Sequence, residues 1–273
     1  MRTRSPAAPD QRSEPGGPGE PEGPTWTVLG RRIGVPVEVR AARQWTVQYL
    51  VPATAAQRLI ADSGLEVTGP LPGRALMALA VCRYLDTDLD PYHEVAMSFV
   101  VRRHDARPEP TIVERLGEFA RGDLGAYIHR LPVDQAFTCA AGRDIWGFPK
   151  WVTTIDIDEP AAGDRHSGTT ARLADGNDHV LSLTVFGGGR LALPATAPPT
   201  YSFDGRDLRR TPWSTRTEGV SGRPGGARLV LGDHPMADEL RSLGLPKRAL
   251  FSSSARQMSA SFGAPEMVAT PGH

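Results

Sequence analysis

Apolar and polar positions alternate along much of the chain, and the alternation predicts strands. Residues Val35–Val51, VPVEVRAARQWTVQYLV, combine a two-residue period with β-branched and aromatic side chains, as in a half-buried strand. Pro52 breaks it. Ala53–Ser63, ATAAQRLIADS, sets Leu59 and Ile60 among helix formers with Gly64 as a stop, and predicts a short helix. Ala75–Tyr84 and Glu94–Arg102 predict two more strands around the acidic loop LDTDLDPYH. Ala126–Val133 predicts another. Asp134 is then a suitable N-cap for a short helix through Ala140 and Arg143, ended by Gly147 and Pro149. Trp151–Ile157 resumes strand, and Thr169–Leu173 with His179–Phe186 predict a hairpin around ADGND.

Residues 187–226 are rich in Gly, Pro and Arg and predict long loops between short strands. Ala227–Leu231 predicts a strand, Pro235–Leu243 a short helix and Arg248–Ser254 a strand, with fraying expected after about Ala264. Residues 1–24 nearly lack apolar side chains, so they cannot offset their ordering entropy and are expected to form a disordered tail. Order is expected from near Trp26, within one domain spanning residues 25–268. Many short strands, few short helices and no regular βαβ alternation predict an α+β, β-rich fold and argue against a doubly wound one.

Acidic and basic residues balance at 31 each, which removes the global field expected of a protein that binds nucleic acid or an anionic membrane. No apolar run approaches the roughly 20 residues that span a bilayer. The N-terminal stretch has arginines but no apolar h-region, so it does not read as a signal peptide, and a cytoplasmic location is expected. Cys82 and Cys139 are the two cysteines, with no CxxC or Cys/His cluster, so a disulfide scaffold or zinc module is not expected. No metal ligand set is expected either, and His93, beside Glu94, is the one histidine of interest. GGGR at 187–190 opens no helix and is not a dinucleotide loop. Ser252–Ser254 has no elbow motif around it.

Lysine occurs only at positions 150 and 247, and every other cation is arginine. A lysine kept in so arginine-rich a chain suggests a task that arginine cannot do, since arginine stays protonated while a buried lysine can lose its proton. Lys150 lies in GRDIWGFPKWV, among Ile145, Trp146, Phe148, Trp151 and Val152. An apolar enclosure disfavours an ammonium and can bring a lysine from about 10.4 to roughly 6. Pro149 fixes its own φ and restricts how the lysine is presented. An ordinary lysine snorkelling past apolar neighbours is the competing reading.

The segment GRDIWGFPK resembles the active-site segment of the acetoacetate decarboxylase family, without gaps from about Gly125 to Trp151. RQWTVQYLVPATAAQRLIADSGLEV (43–67) and ARLVLGDHPMADELRSLGLPKRALFSSS near the end resemble it too, so the likeness spans about residues 30–268. The resemblance implies an acetoacetate decarboxylase-like β-barrel domain with short helices, and it places Lys150 at the Schiff-base position. It places Glu94 at the active-site glutamate that manages protons. Arg43 falls at the pocket arginine suited to a substrate carboxylate, with Arg40 as an alternative. Phe148, Trp146 and Trp151 would contact substrate. Two departures stand out. The family's second lysine is replaced by Trp151, and its second active-site acid is replaced by an apolar residue around Leu79. Lys247 matches a family lysine outside the pocket.

The implied function is a lysine Schiff-base lyase acting on a small keto acid without a cofactor. The first expectation is decarboxylation of a β-keto acid. The alternatives are aldol-dehydration or cyclisation of a keto acid in specialised biosynthesis, or a non-catalytic ligand-binding homologue. Self-association into a homo-oligomer is also implied.

Overall fold

The computed structural model describes residues 23–103, 124–161, 167–191 and 198–268. All but the last two residues of the expected disordered tail lie outside these limits.

A single large sheet carries the site. Its central path runs through β3 (Val37–Pro52), β5 (Arg74–Thr87), β6 (Tyr92–Arg103) and β7 (Gly125–Val133). On the other side of β3 it continues through β18 (Phe251–Phe262) to the short strands β16 (Ser221–Pro224) and β12 (Gly189–Arg190). Beyond β7 it continues through β13 (Thr200–Phe203) and β14 (Leu208–Thr211) to β19 (Glu266–Val268). Strands β4 (Leu65–Val67), β8 (Lys150–Val152) and β15 (Trp213–Glu218) pair onto β6, β7 and β18 respectively.

The sheet has two covered faces. Against one packs a four-stranded sheet of β9 (Thr154–Asp158), β10 (Thr169–Asp175), β11 (Asp178–Val185) and β17 (Ala227–Leu231), joined by α1 (Ala53–Leu59) and α3 (Pro235–Ser242). Against the other pack α2 (Ala136–Trp146) and the hairpin of β1 (Thr25–Val28) and β2 (Arg31–Gly34). Each face has its own core. Trp45, Val47, Leu79 and Val95 belong to the first; Val39, Tyr84, Tyr92 and Ile145 belong to the second. Strand alternation thus sends neighbouring residues into different cores.

Among the described residues no pairing joins β12 to β19, so the sheet is an open path rather than the expected closed barrel. The end strands β12 and β19 are two and three residues long, too short to present matching edges. Other expectations shift in detail. The helix after Pro52 ends at Leu59 and continues as a 3-10 turn at Ala61–Ser63, stopped by a left-handed Gly64. Gln135 rather than Asp134 caps α2, its side chain accepting from Thr138 N at 2.6 Å. Asp134 is engaged elsewhere, accepting from His93 N at 2.7 Å and lying 2.8 Å from His93 Nδ1. Past Ala264 the chain does not simply fray, because β19 pairs with β14.

Helix α3 is tied to β7 by Glu239, which takes hydrogen bonds from His129 Nε2 at 3.1 Å and from both sides of the Arg130 guanidinium. Burial alone would raise the Glu239 carboxyl, but the bonds from His129 and Arg130 outweigh it and hold it at about 2. A carboxyl depressed in the fold stabilises above its unfolded value and loses that contribution as pH falls through its folded value. Glu239→Gln is therefore expected to unfold at lower urea concentration than wild type at pH 7. The gap should narrow as pH falls from about 4.5 toward about 2. A gap independent of pH would mean the stability lies in packing and not in the charge.

Candidate active site

Lys150 is delivered by a helix end. Gly147 adopts a left-handed φ of 65° as the residue after α2, its N–H bonding Arg143 O at 3.0 Å while Phe148 N bonds Gly142 O at 3.0 Å. The chain then turns through Pro149 into β8, where Lys150 pairs alongside Leu131 of β7. Alternation along this three-residue strand points Lys150 and Trp151 to opposite faces.

Lys150 is 6% exposed, among the residues of the second core. Its Nζ lies 2.8 Å from a carboxylate oxygen of Glu94 on β6, which is 8% exposed. The other Glu94 oxygen, Oε1, accepts from the Tyr84 hydroxyl at 3.2 Å. Tyr84 stacks on Tyr92 with ring centres 4.3 Å apart, and the Lys150 ammonium sits 5.2 Å from the Tyr92 ring centre. Burial, followed by the nearby Cys82 and Glu94, pushes the Tyr84 phenol well above its usual range. Burial and then Glu94 do the same for Tyr92. Both phenols therefore stay protonated at neutral pH. Burial, then Glu94, also pushes the Cys82 thiol up to about 12, so it stays neutral.

Lys150, Glu94, Tyr84 and Tyr92 line a cavity of about 40 Å³ whose other near walls are Leu131, Trp146 and Phe148. That is small beside the several hundred cubic ångströms usual for ligand pockets. A larger open depression of about 540 Å³ lies beside Arg31–Pro36 and Asp88. It faces solvent, and among the described residues its lining holds no lysine or cysteine, so the smaller cavity is the candidate site.

The structure thus brings together Lys150, Glu94, Trp146 and Phe148, and it separates Arg43 and Trp151 from them. The sheet register explains the separation. Gln44, Cys82 and Glu94 form one cross-strand row on the Lys150 face, whereas Arg43, Arg83 and His93 form the next row on the opposite face. Arg43 is largely exposed there and pairs with Glu159 at 2.7 Å, and Arg83 pairs with the same carboxylate at 2.6 Å. Arg40 is also exposed, paired with Asp86 and Asp88. Trp151 packs against the first core with its ring near His234, so it does not dry the lysine. Leu79 is fully buried in that same core, and the pocket-face residues of β5 beside Glu94 are Cys82 and Tyr84. Lys247 donates to Leu50 O away from the pocket, with burial and then Arg74 lowering its ammonium. Among the described residues no group of three or more His, Cys, Asp or Glu could hold a metal, and no helix is long and apolar enough to cross a membrane.

Sequence reasoning missed two participants. Tyr84 carries no local motif, and its position opposite Tyr92 becomes visible only once the register is known. Gly142 opens the motif, but its role is set by the path of the lysine stem and leaves no mark in the sequence. A Cβ built on it would stand 2.5 Å from Lys150 Cδ and 2.6 Å from Cε, so the helix lets the lysine pass only because it lacks a side chain there. Tyr84→Phe leaves one Glu94 oxygen without its donor. It is expected to lower turnover roughly tenfold, the scale of one hydrogen bond to a charged group, while KM changes little. An equal loss in kcat and gain in KM would assign Tyr84 to substrate binding instead.

One buried amine, one buried carboxylate and a broad β-sheet scaffold define the class of site. The chain belongs to the acetoacetate decarboxylase family, whose model, Acetoacetate decarboxylase (ADC), matches residues 30–270. No curated protein matches. Solved structures share the fold at low identity. An acetoacetate decarboxylase from Legionella pneumophila subsp. pneumophila str. Philadelphia 1 aligns with a TM-score of 0.65 at 17% identity, covering 86% of this chain and 87% of that one. An acetoacetate decarboxylase-like enzyme from Sphingomonas wittichii RW1 aligns with a TM-score of 0.65 at 15% identity, covering 90% and 100%. The enduracididine biosynthesis enzyme MppR, complexed with pyruvate, aligns with a TM-score of 0.63 at 16% identity, covering 87% and 91%.

Proposed function

We propose that the protein is a Schiff-base lyase in which Lys150 condenses with a keto acid, and that the reaction is decarboxylation of a β-keto acid. The observation that carries this reading is the Lys150–Glu94 contact at 2.8 Å inside an apolar pocket. Glu94 is within proton-transfer reach of the amine. The lysine gives Glu94 a proton, and its free electron pair attacks the ketone carbon, forming a carbinolamine. Glu94 returns a proton to the hydroxyl, which leaves as water, and an iminium remains. The bond to the carboxylate carbon then breaks. Its electron pair flows to the iminium nitrogen, CO2 departs and a neutral enamine is left. Protonation at carbon and hydrolysis by water release the ketone and the amine.

The apolar walls favour this outcome. Among the described lining residues Lys150 is the sole cation, so no guanidinium holds the substrate carboxylate in place. In a low-dielectric cavity a step that merges a carboxylate and an iminium into neutral products is favoured over one that keeps them apart. The likeness to pyruvate-complexed MppR supports a second reading, in which the enamine of a pyruvate-like substrate undergoes aldol addition and dehydration. On the same footing the chain is read as a cytoplasmic homo-oligomer with its domain at 25–268.

Borohydride reduction with a panel of keto acids, followed by mass mapping, tests the proposal. Modification of Lys150 with CO2 released from acetoacetate is the expected result. Trapped pyruvate without CO2 would move the assignment to the aldol reaction. No adduct with any keto acid would leave a binding homologue.

A further inference from the structure

The cavity continues beyond the reacting pair, along the strands. Cys82 pairs with Glu94, Tyr84 with Tyr92, Thr87 with Val39, and Val37 with Phe262. Three positions separate Tyr84 from Thr87 on β5, which at roughly 3.3 Å per residue is about 10 Å of strand. Past the two tyrosines the lining is Val37, Val39, Thr87, Leu89 and Phe262, with no charged group among them. Leu89 comes from the turn between β5 and β6. It is 3% exposed and lines this far end.

The turn is pinned both by its own buried bonds and by ion pairs on its solvent side. Leu89 N donates to Thr87 Oγ1 at 2.9 Å, and Asp90 N to Thr87 O at 3.3 Å. Asp90 takes a left-handed φ of 67°, uncommon for a residue other than glycine. Its carboxylate pairs with Arg31 of β2, whose guanidinium also stacks 4.0 Å from the Phe137 ring of α2. Asp88 accepts from Glu38 N at 2.8 Å and pairs with Arg40 at 2.6 Å. Exposed pairs contribute little stability one by one. Together with the backbone bonds they fix the direction of the turn, and that direction aims Leu89 inward.

We infer that Leu89 is a length gauge. It limits how far the apolar substituent of the substrate can extend from the carbon that Lys150 attacks, so the pocket selects short-chain keto acids and rejects long acyl ones. This rests on the Schiff-base reading above. The small cavity left with Leu89 in place, about 40 Å³, agrees with it.

The test compares 3-oxo acids from acetoacetate up to 3-oxodecanoate, by rate of CO2 release and by borohydride adduct on Lys150. Wild type should prefer the shortest. Leu89→Ala should raise the long-to-short ratio of kcat/KM by roughly 10- to 50-fold, since each buried methylene is worth about fourfold. Leu89→Val should shift it about fourfold in the same direction, and it serves if the alanine variant does not fold. If adducts form on Lys150 but both folded variants keep the wild-type length preference, the gauge lies elsewhere and the inference falls. If wild type forms no adduct with any of the acids, the Schiff-base reading fails and the inference with it.

Discussion

Lys150→Ala should drop turnover into the background, a loss on the order of 10⁶-fold for deleting a covalent nucleophile, and should abolish the borohydride adduct. The same change has a structural cost that is separable from the chemistry. Glu94 is left buried beside Tyr84 with no cation, and removing one partner of a buried ion pair typically costs about 3–5 kcal/mol. A second change that removes the charge should recover most of this, because a neutral pair of similar size needs no compensation in a dry site. Lys150→Met with Glu94→Gln is therefore expected to melt above Lys150→Ala while remaining just as inactive. Residual turnover above background in Lys150→Ala, with the protein folded, would remove the amine from the mechanism. Equal melting of the single and double variants would show that Glu94 reaches water once the lysine is gone.

Gly142→Ala should separate position from presence. The new methyl would meet the lysine stem at 2.5 and 2.6 Å, closer than carbon atoms approach, so the stem must move. Displacement of a reacting group by about 1 Å costs on the order of 10²-fold in rate. Stability is pulled both ways. Alanine in a helix interior is better than glycine by about 1 kcal/mol, whereas overpacking a core costs about 1–3 kcal/mol. A folded protein with little change in melting temperature, an intact lysine and a rate down about a hundredfold is the expected combination. An unchanged rate would mean that the lysine has room to spare and that its present path is incidental.

Much of the fold was legible because strands leave a two-residue period. Val35–Val51, Ala75–Tyr84 and Ala126–Val133 lie largely within β3, β5 and β7. The helix start was misplaced because Asp134 and Gln135 are both able to cap, and only the tertiary partner His93 decides between them. The closed barrel came with the resemblance, and no strand pattern specified where the sheet would end. At the site, the motif located Lys150 and the resemblance placed Glu94, and the fold sets the two 2.8 Å apart. Arg43 and Trp151 were placed beside them by proximity in sequence or by likeness. Each lies on the other side of the sheet, and a one-residue offset along a strand is enough to put it there.

The scarcity of lysine has a practical consequence. Of the two ε-amines, Lys247 is held by Leu50 O, and Lys150 is enclosed. Arginine neither acylates nor forms imines under mild conditions, so amine-directed reagents meet a nearly silent surface. Reductive methylation with isotopic formaldehyde would then give two resolvable side-chain signals, one of them reporting directly from inside the cavity.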